Sequence, residues 1–423
     1  MNAYLSEEKT FSPVRITAEI DNYILGLLYV SVAISYCLKL PMAAVFILIY
    51  ALITPLEKMI NVLPIILFFY SYLTIPFINL SVFVPYSFIF ILKFIFTSKM
   101  PISVFSLAFI CVNFIYCIAV MLPLNYIKAT TGLLGVLFAF SFSASVKNTD
   151  VRKVLFSHYG FSAVLAMFLA LIFRSQEMDY MEINGYVSTY FRFLSTFSDP
   201  NYAGFFYTVG MWAVIVLKPY KIKFLNVIVA FLLAVAILLT VSITAIVILI
   251  LTYFLYLLLE KKENLLKTLT VSLIVIATAF ALIYYATLKG VPYISDLSTR
   301  FLIKSDAFLV GDIGSATTNR TNLFERAWDY FSQSNLFSQL FGGTCSTAIV
   351  TDGRVIIHNE YLTLLINIGI VGTIIYLSYC IKMFFSAVKK HDVFDILKKS
   401  IVATYAITLT FFMDFRFIFI FLI

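Results

Sequence analysis

The chain of 423 residues is 62% hydrophobic and 12% charged, with a net charge of +8 and a mean hydropathy of +0.98. So little charge cannot cover the surface of a water-soluble domain, which excludes a soluble enzyme or a soluble binding module. Because a helix of about 20 apolar residues crosses a bilayer, the composition predicts an all-α, polytopic membrane protein.

Apolar runs recur along the chain and predict about 12–14 transmembrane helices in a single integral membrane domain, residues 1–423. The first residues, 1–19, are polar and acidic, so we expect no cleavable signal peptide there. The predicted spans are near residues 21–38, 42–56, 61–79, 81–97, 102–122, 129–146, 154–173, 202–217, 223–240, 242–259, 268–288, 360–381 and 400–420.

The distribution of lysine and arginine tests this alternation, because cytoplasmic loops are enriched in basic residues. With the N-terminus inside, nineteen of the thirty basic residues fall on the cytoplasmic side. The net positive charge therefore predicts an orientation in the membrane. It does not predict a nucleic-acid partner, since no polar segment carries a basic face with interleaved aromatic residues.

Some arginines are expected outside, where this bias disfavours them. They are Arg192, Arg300, Arg320, Arg326 and Arg354. A guanidinium binds phosphate with bidentate geometry, so these side chains are candidates for neutralising a departing diphosphate. The alternative is contact with lipid headgroups or with a nearby acid such as Glu325 or Asp329.

Two long connections, 174–201 and 289–358, are expected outside the membrane and are natural places for a site, because long loops are commonly functional. In the first, the sequence Asp199–Asn201 predicts an Asx turn that starts a helix. Glu177 and Asp179 form an acid pair that could hold a divalent ion or act as a base, but exposed pairs of this kind are usually solvated. We therefore expect neither a metal nor a cofactor.

The second connection contains a predicted amphipathic helix, which we expect to lie on the outer leaflet. Its apolar residues recur at helical spacing and are Leu323, Phe324, Ala327, Trp328 and Phe331. Asn322 followed by Glu325 fits an N-cap pair. The two glycines Gly342 and Gly343 fit the turn that ends the helical pattern.

His358 is the only one of three histidines beside the long connections, and it precedes the apolar run that begins at Tyr361. An imidazole there can act as a base near neutral pH, because its ordinary pKa is about 6.5. The first turn of the following helix also favours a nearby anion. The alternative is an interfacial histidine that is satisfied by water and headgroups.

Residues 185 to 380 carry three motifs in order. Arg192 precedes Asp199-Pro200-Asn201-Tyr202-Ala203-Gly204, Arg320 opens an amphipathic helix that runs to Gly342-Gly343, and His358-Asn359-Glu360-Tyr361-Leu362 leads into Gly369-Ile370-Val371-Gly372. In this order and spacing, the chain resembles the bacterial O-antigen polymerase and O-antigen ligase superfamily. The first seven spans match that superfamily in hydropathy alone.

The resemblance implies a fold like that of the C-type membrane glycosyltransferases, with the amphipathic helix inside a long periplasmic loop. It implies an enzyme of the bacterial inner membrane that transfers glycan from an undecaprenyl diphosphate donor at the periplasmic face. Arg192 and Arg320 would grip the diphosphate, and His358 would deprotonate the acceptor sugar hydroxyl in an inverting reaction without a metal.

Further substrate-binding roles implied by the resemblance fall on Arg326, Asn201, Asn359 and Tyr361. The stretch from Arg320 to Gly342 is slightly longer than the pattern of the superfamily, so Arg326 could take the place of Arg320. The expected partners are the undecaprenyl diphosphate-linked oligosaccharide, membrane lipid and a regulator of chain length, with no nucleic acid.

The first expectation for function is therefore a polymerase that joins repeat units of O-antigen or capsular polysaccharide. An O-antigen ligase that transfers glycan to the lipid A core remains open, because it would use the same donor. A transporter of lipid-linked sugar also remains open, although it should carry ionisable groups within its spans and paired halves. Here most charged residues fall in predicted loops.

Overall fold

The computed structural model is mostly helical over the part of the chain that it describes. That part comprises residues 13–75, 80–97, 149–173, 176–183, 186–197, 199–260, 287–291, 294–311, 320–342, 359–385 and 393–408, with isolated positions between them. The longer helices are α1 (Pro13–Leu38), α2 (Met42–Ile53), α5 (Phe83–Thr97), α6 (Thr149–Ile172), α7 (Pro200–Leu217), α8 (Lys223–Leu239), α9 (Ile243–Glu260), α10 (Ile294–Leu309), α11 (Arg320–Gln333), α13 (Glu360–Phe385) and α14 (Val393–Thr408). The short helices are α3 (Leu56–Met59), α4 (Leu63–Phe68) and α12 (Leu336–Phe341).

Three described helices are long and apolar enough to cross a membrane. They are Asp150–Ile172, Pro200–Leu217 and Tyr361–Ser378. Five shorter apolar helices also coincide with predicted spans: Asn22–Leu38, Met42–Ile53, Phe83–Thr97, Lys223–Leu239 and Ile243–Leu258. The spans predicted near 102–122, 129–146 and 268–288 lie largely outside the described residues, as does the end of the span predicted near 400–420.

The span predicted near 61–79 is wrong. Helix α4 ends at Phe68, and a tight antiparallel pair of strands follows, β1 (Thr74–Ile75) with β2 (Leu80–Ser81). Every residue of α4 is buried, so this short helix lies among the other helices. A continuous apolar run is compatible with a buried short helix as well as with a span, and hydropathy alone does not distinguish them.

The first long connection contains a β-hairpin, which departs from the all-α expectation. Strand β3 (Gln176–Ile183) pairs antiparallel with β4 (Tyr186–Phe193) along their full lengths, from Gln176 opposite Phe193 to Ile183 opposite Tyr186. The hairpin follows α6 directly and leads back to the start of α7. It therefore fixes where the chain re-enters the helical bundle.

Helix α7 is the central helix, because most of its side chains are buried. Its glycines allow close approach: a methyl group at Gly204 would lie 2.5 Å from the Ala245 Cβ of α9, and one at Gly210 would lie 2.9 Å from the Tyr159 ring of α6. Small residues at helix contacts are a usual means of tight packing in membrane proteins. This packing holds the first turn of α7 in a fixed position.

Candidate functional site

Arg192 lies near the end of β4, where the hairpin enters the helical bundle. The residues that follow are inserted among the helices, since Ser195 and Thr196 are both buried. The Thr196 hydroxyl donates to the Phe68 carbonyl of α4, and the Ser195 hydroxyl shares a hydrogen bond with the Tyr207 hydroxyl of α7. These anchors hold the Arg192 side chain inside the protein, where it is only 6% exposed.

The first turn of α7 is capped as the sequence predicted. The backbone N–H of Asn201 donates to Oδ1 of Asp199 at 2.6 Å, and Pro200 occupies the first helical position. Proline is favoured there because its missing N–H would have no partner within the helix. The cap turns the Asn201 side chain toward the end of the hairpin.

Asn201 joins three elements through one amide oxygen. Its Oδ1 accepts a hydrogen bond from Nη2 of Arg192 at 3.1 Å and another from the Ser242 hydroxyl at 2.7 Å. Ser242 also accepts from the Ala245 backbone N–H at 3.2 Å, which caps the first turn of α9. Arg192, Asn201 and Ser242 thus link the hairpin to the starts of α7 and α9.

A second arginine reaches the same turn from α10. Arg300 is 8% exposed, and its Nη1 donates to the Val241 carbonyl at 2.6 Å. Val241 adopts φ +50, a conformation that is unfavourable for a β-branched residue. The hydrogen bond from Arg300 therefore helps to hold the α8–α9 turn. Arg192 is connected to Ser242, the next residue of that turn, through the shared oxygen of Asn201.

The electrostatics of this place favour an anion. The first turns of α7 and α9 both begin here, and backbone N–H groups at a helix start carry partial positive charge. Arg192 and Arg300 add two full charges in a buried setting. Two acids belong to the same elements: Asp199 caps α7, and Glu177 is opposite Arg192 in the backbone register of the hairpin. The site can therefore hold a multiply charged anion or an internal ion pair.

A second group of predicted residues lies at the start of α13. Oδ1 of Asn359 accepts from the Leu362 backbone N–H at 3.1 Å, so Asn359 caps this helix. Tyr361 is half-buried and packs against the main core. Asn359 and Tyr361 therefore have fixed positions, while His358 lies just outside the described residues.

The amphipathic helix starts at Arg320, as the motif order predicted, but it ends at Gln333, and the short helix α12 follows it. Helix α11 begins at Arg320, so Asn322 lies inside the helix and the N-cap predicted for it is wrong. Arg326 is exposed, whereas Ala327 and Phe331 are buried against Leu362 and Ile366 of α13. The backbone of Arg320 is described but its side chain is not, so its relation to Arg192 is outside the described residues.

Sequence reasoning missed the part of the site that is formed by tertiary contacts. Arg300 was one of several external arginines, and nothing in its local sequence singled it out. Ser242 carried no signal beyond its place before an apolar run. The available clue was the excess of arginines on the side where the positive-inside bias disfavours them.

Comparison of the chain with protein-family models, with curated proteins and with solved structures finds no match.

Proposed function

We propose that this protein is a membrane glycosyltransferase that lengthens a bacterial surface polysaccharide. It transfers glycan from an undecaprenyl diphosphate donor to a sugar hydroxyl of a second lipid-linked unit at the periplasmic face of the inner membrane. The observation that carries the proposal is the pair of buried guanidiniums, Arg192 and Arg300, at the starts of α7 and α9. Buried guanidiniums suit a ligand that brings several negative charges, as a diphosphate does.

The arginines stabilise the leaving group in this proposal. As the bond between the anomeric carbon and the diphosphate oxygen breaks, negative charge grows on that oxygen. Preorganised donors in a site that excludes water stabilise such charge more than water-exposed donors do. Arg192 and Arg320 serve as the main diphosphate ligands, with Arg300 and Arg326 as further basic residues, and Asn201 orients Arg192.

His358 acts as the general base. The acceptor hydroxyl attacks the anomeric carbon from the face opposite the diphosphate, so a new carbon–oxygen bond forms as the old one breaks and the configuration inverts. The hydroxyl proton passes to the imidazole of His358. Asn359 and Tyr361 bind the sugar next to it, and the reaction uses no metal.

The direct test is deletion of the gene followed by complementation, read as the ladder of polysaccharide chain lengths. Loss of a polymerase leaves lipopolysaccharide with a single repeat unit. Loss of a ligase leaves none that carries O-antigen, and this result would replace polymerisation with transfer to the lipid A core. Purified protein in proteoliposomes that moves lipid-linked sugar across the bilayer without lengthening it would reject both.

His358→Ala tests the base within the same assay. We expect the variant to reach the membrane at the normal level and to leave chains at a single repeat. Matched replacement of His391, which the predicted topology puts on the cytoplasmic side, should leave the ladder unchanged. A normal ladder from His358→Ala would reject the assignment of the base.

A further inference from the structure

Helix α13 consists of two helical halves that meet at Gly369. The backbone there has φ +66 and ψ −176, which is not helical. A residue with a side chain rarely adopts a positive φ of this size, and sharp breaks in helices commonly occur at glycine. Helix α13 is therefore a broken helix, and Asn359 caps its first half, Glu360–Ile368.

The end of α12 lies directly against this break. A methyl group on Gly342 would overlap the carbonyl of Asn367 and would lie 2.7 Å from the backbone N of Ile368. A methyl group on Gly369 would overlap the carbonyl of Leu340 and would lie 2.5 Å from the backbone N of Gly342. The two backbones thus touch with no room for a side chain on either glycine, and we call this contact the glycine junction.

Two other surfaces hold the first half of α13. Leu362 and Ile366 pack on Ala327 and Phe331 of α11, and this cluster is separate from the main core. Leu364 and Ile368 face the main core. The glycine junction adds a third support, at the end of the half-helix farthest from Asn359.

We propose that the glycine junction positions the first half of α13 and, through it, the substrate-binding residues Asn359 and Tyr361. Gly342 and Gly369 are then positioning residues rather than catalytic ones. The external helices α11 and α12 would set the angle at which the half-helix presents its capped end. The link to substrate rests on the proposed glycan transfer, whereas the positioning of the half-helix does not.

The chain offers a matched control for each glycine. Gly311 has φ +79, close to the +75 of Gly342, and Gly290 has φ +63, close to the +66 of Gly369. Among the residues that the structure describes, nothing lies within 4 Å of a methyl group built on either control glycine. Alanine at Gly311 or Gly290 therefore places a side chain at a positive φ without the collision, so these two variants control for a positive-φ alanine away from the junction.

The experiment compares Gly342→Ala and Gly369→Ala with Gly311→Ala and Gly290→Ala. The first measurement is the concentration of lipid-linked repeat that gives half-maximal chain extension. We expect both junction variants to raise it by about tenfold, the effect of losing one well-placed hydrogen bond to substrate. A protein that was only less stable would have fewer active molecules but the same half-saturating concentration.

The second measurement does not need activity. The chain has two tryptophans, and in a Trp212→Phe background the remaining one, Trp328, lies on α11 beside Phe331. If the junction is disturbed, α11 should lose part of its packing on the half-helix. We expect acrylamide to quench Trp328 fluorescence more strongly in both junction variants than in the parent protein. In both control variants, the quenching should equal that of the parent protein.

Equal half-saturating concentrations and equal quenching in junction and control variants would overturn the proposal. If the junction variants are not recovered from membranes, Ala327→Leu takes their place, because it crowds the side of the half-helix that packs on α11. An unchanged half-saturating concentration in Ala327→Leu would also overturn the proposal. If the unaltered protein transfers no glycan, the proposed function fails and the quenching result still decides the junction.

Discussion

The guanidinium of Arg192 donates to the amide oxygen of Asn201 at 3.1 Å, which ties the end of the β-hairpin to the first turn of the central helix. The same oxygen accepts from Ser242 at 2.7 Å. An arginine held in this way is preorganised, because its position is fixed before a ligand arrives. Substitutions at Asn201 and Arg300 can separate the structural role of this network from its proposed role in binding a diphosphate.

Asn201→Leu and Asn201→Asp should have different effects. Leucine removes the acceptor shared by Arg192 and Ser242, so we expect a loss of about 1 kcal/mol for each hydrogen bond and a lower melting temperature in detergent. Aspartate keeps an acceptor at the same place and should preserve the melting temperature. It also pairs the guanidinium with an internal carboxylate, so we expect weaker chain extension, measured at equal protein levels.

Full chain extension by Asn201→Asp would contradict a role of Arg192 in anion binding. Asn201→Gln serves as a further control, since it keeps the amide and adds no charge. If Asn201→Gln is as inactive as Asn201→Asp, geometry rather than charge explains the loss.

Arg300→Gln should lower chain extension by about tenfold, because it removes a charge that stabilises the diphosphate. Arg300→Lys should retain part of the activity, since a point charge lacks the bidentate geometry of a guanidinium. The matched control is Arg152→Gln. The Nε of Arg152 also donates to a backbone carbonyl, that of Val146 at 3.0 Å, but near the opposite end of α6 from the hairpin.

Both glutamine variants should lose a similar, small part of their thermal stability, and only Arg300→Gln should lose activity. Equal activity in the two variants would remove Arg300 from the site. The assay is the ladder of chain lengths in complemented deletion cells, with membrane levels checked by immunoblot.

Local motifs were predictable from sequence, and contacts between distant segments were not. The cap of Asp199 on Asn201 depends on neighbouring residues and was predicted correctly. The contact between Arg300 and Val241 joins residues 59 positions apart, and no pattern in one sequence encodes it. The Asn322 cap failed because the helix begins two residues earlier, and helix ends are the least certain part of any pattern.

The hairpin formed by β3 and β4 shows a second reason why part of the fold could not be predicted from the sequence. Its strands contain β-favouring residues such as Tyr190 and Val187, but a connection between two apolar helices carries no hydropathy signal for strands. The break at Gly369 was hidden for the opposite reason, since the apolar run continues through it without interruption. The order of the motifs placed Arg192 and Asn201 in one region, and the structure brings these two into direct contact.

Gly204→Ala should destabilise the bundle, because its new methyl group would lie 2.5 Å from the Ala245 Cβ, and neither side chain can move aside. We expect a cost of about 1–3 kcal/mol, as for other overpacked contacts, seen as a lower melting temperature. Gly26→Ala is the control, since Gly26 lies in α1 and no atom of the described part of the chain is within 4 Å of an added methyl group. Alanine is the better helix former, so this control should match or exceed the parent. A Gly204→Ala protein as stable as Gly26→Ala would show that α7 and α9 can separate without loss.

Lys93→Met should weaken the contact between α2 and α5. The ammonium of Lys93 donates to the carbonyls of Ala51 at 2.7 Å and Leu52 at 3.0 Å, which are in the last turn of α2 and would otherwise lack partners in the helix. It also donates to the carbonyl of Thr54, the residue that follows α2. Hydrogen bonds from a charged group stabilise by about 1.5–3 kcal/mol, and methionine keeps the apolar stem while removing all three. We therefore expect a lower melting temperature for Lys93→Met than for Lys153→Met, which replaces an exposed lysine of α6. Since both substitutions remove one positive charge, an equal effect would mean that net charge, and not the cap on α2, sets the stability.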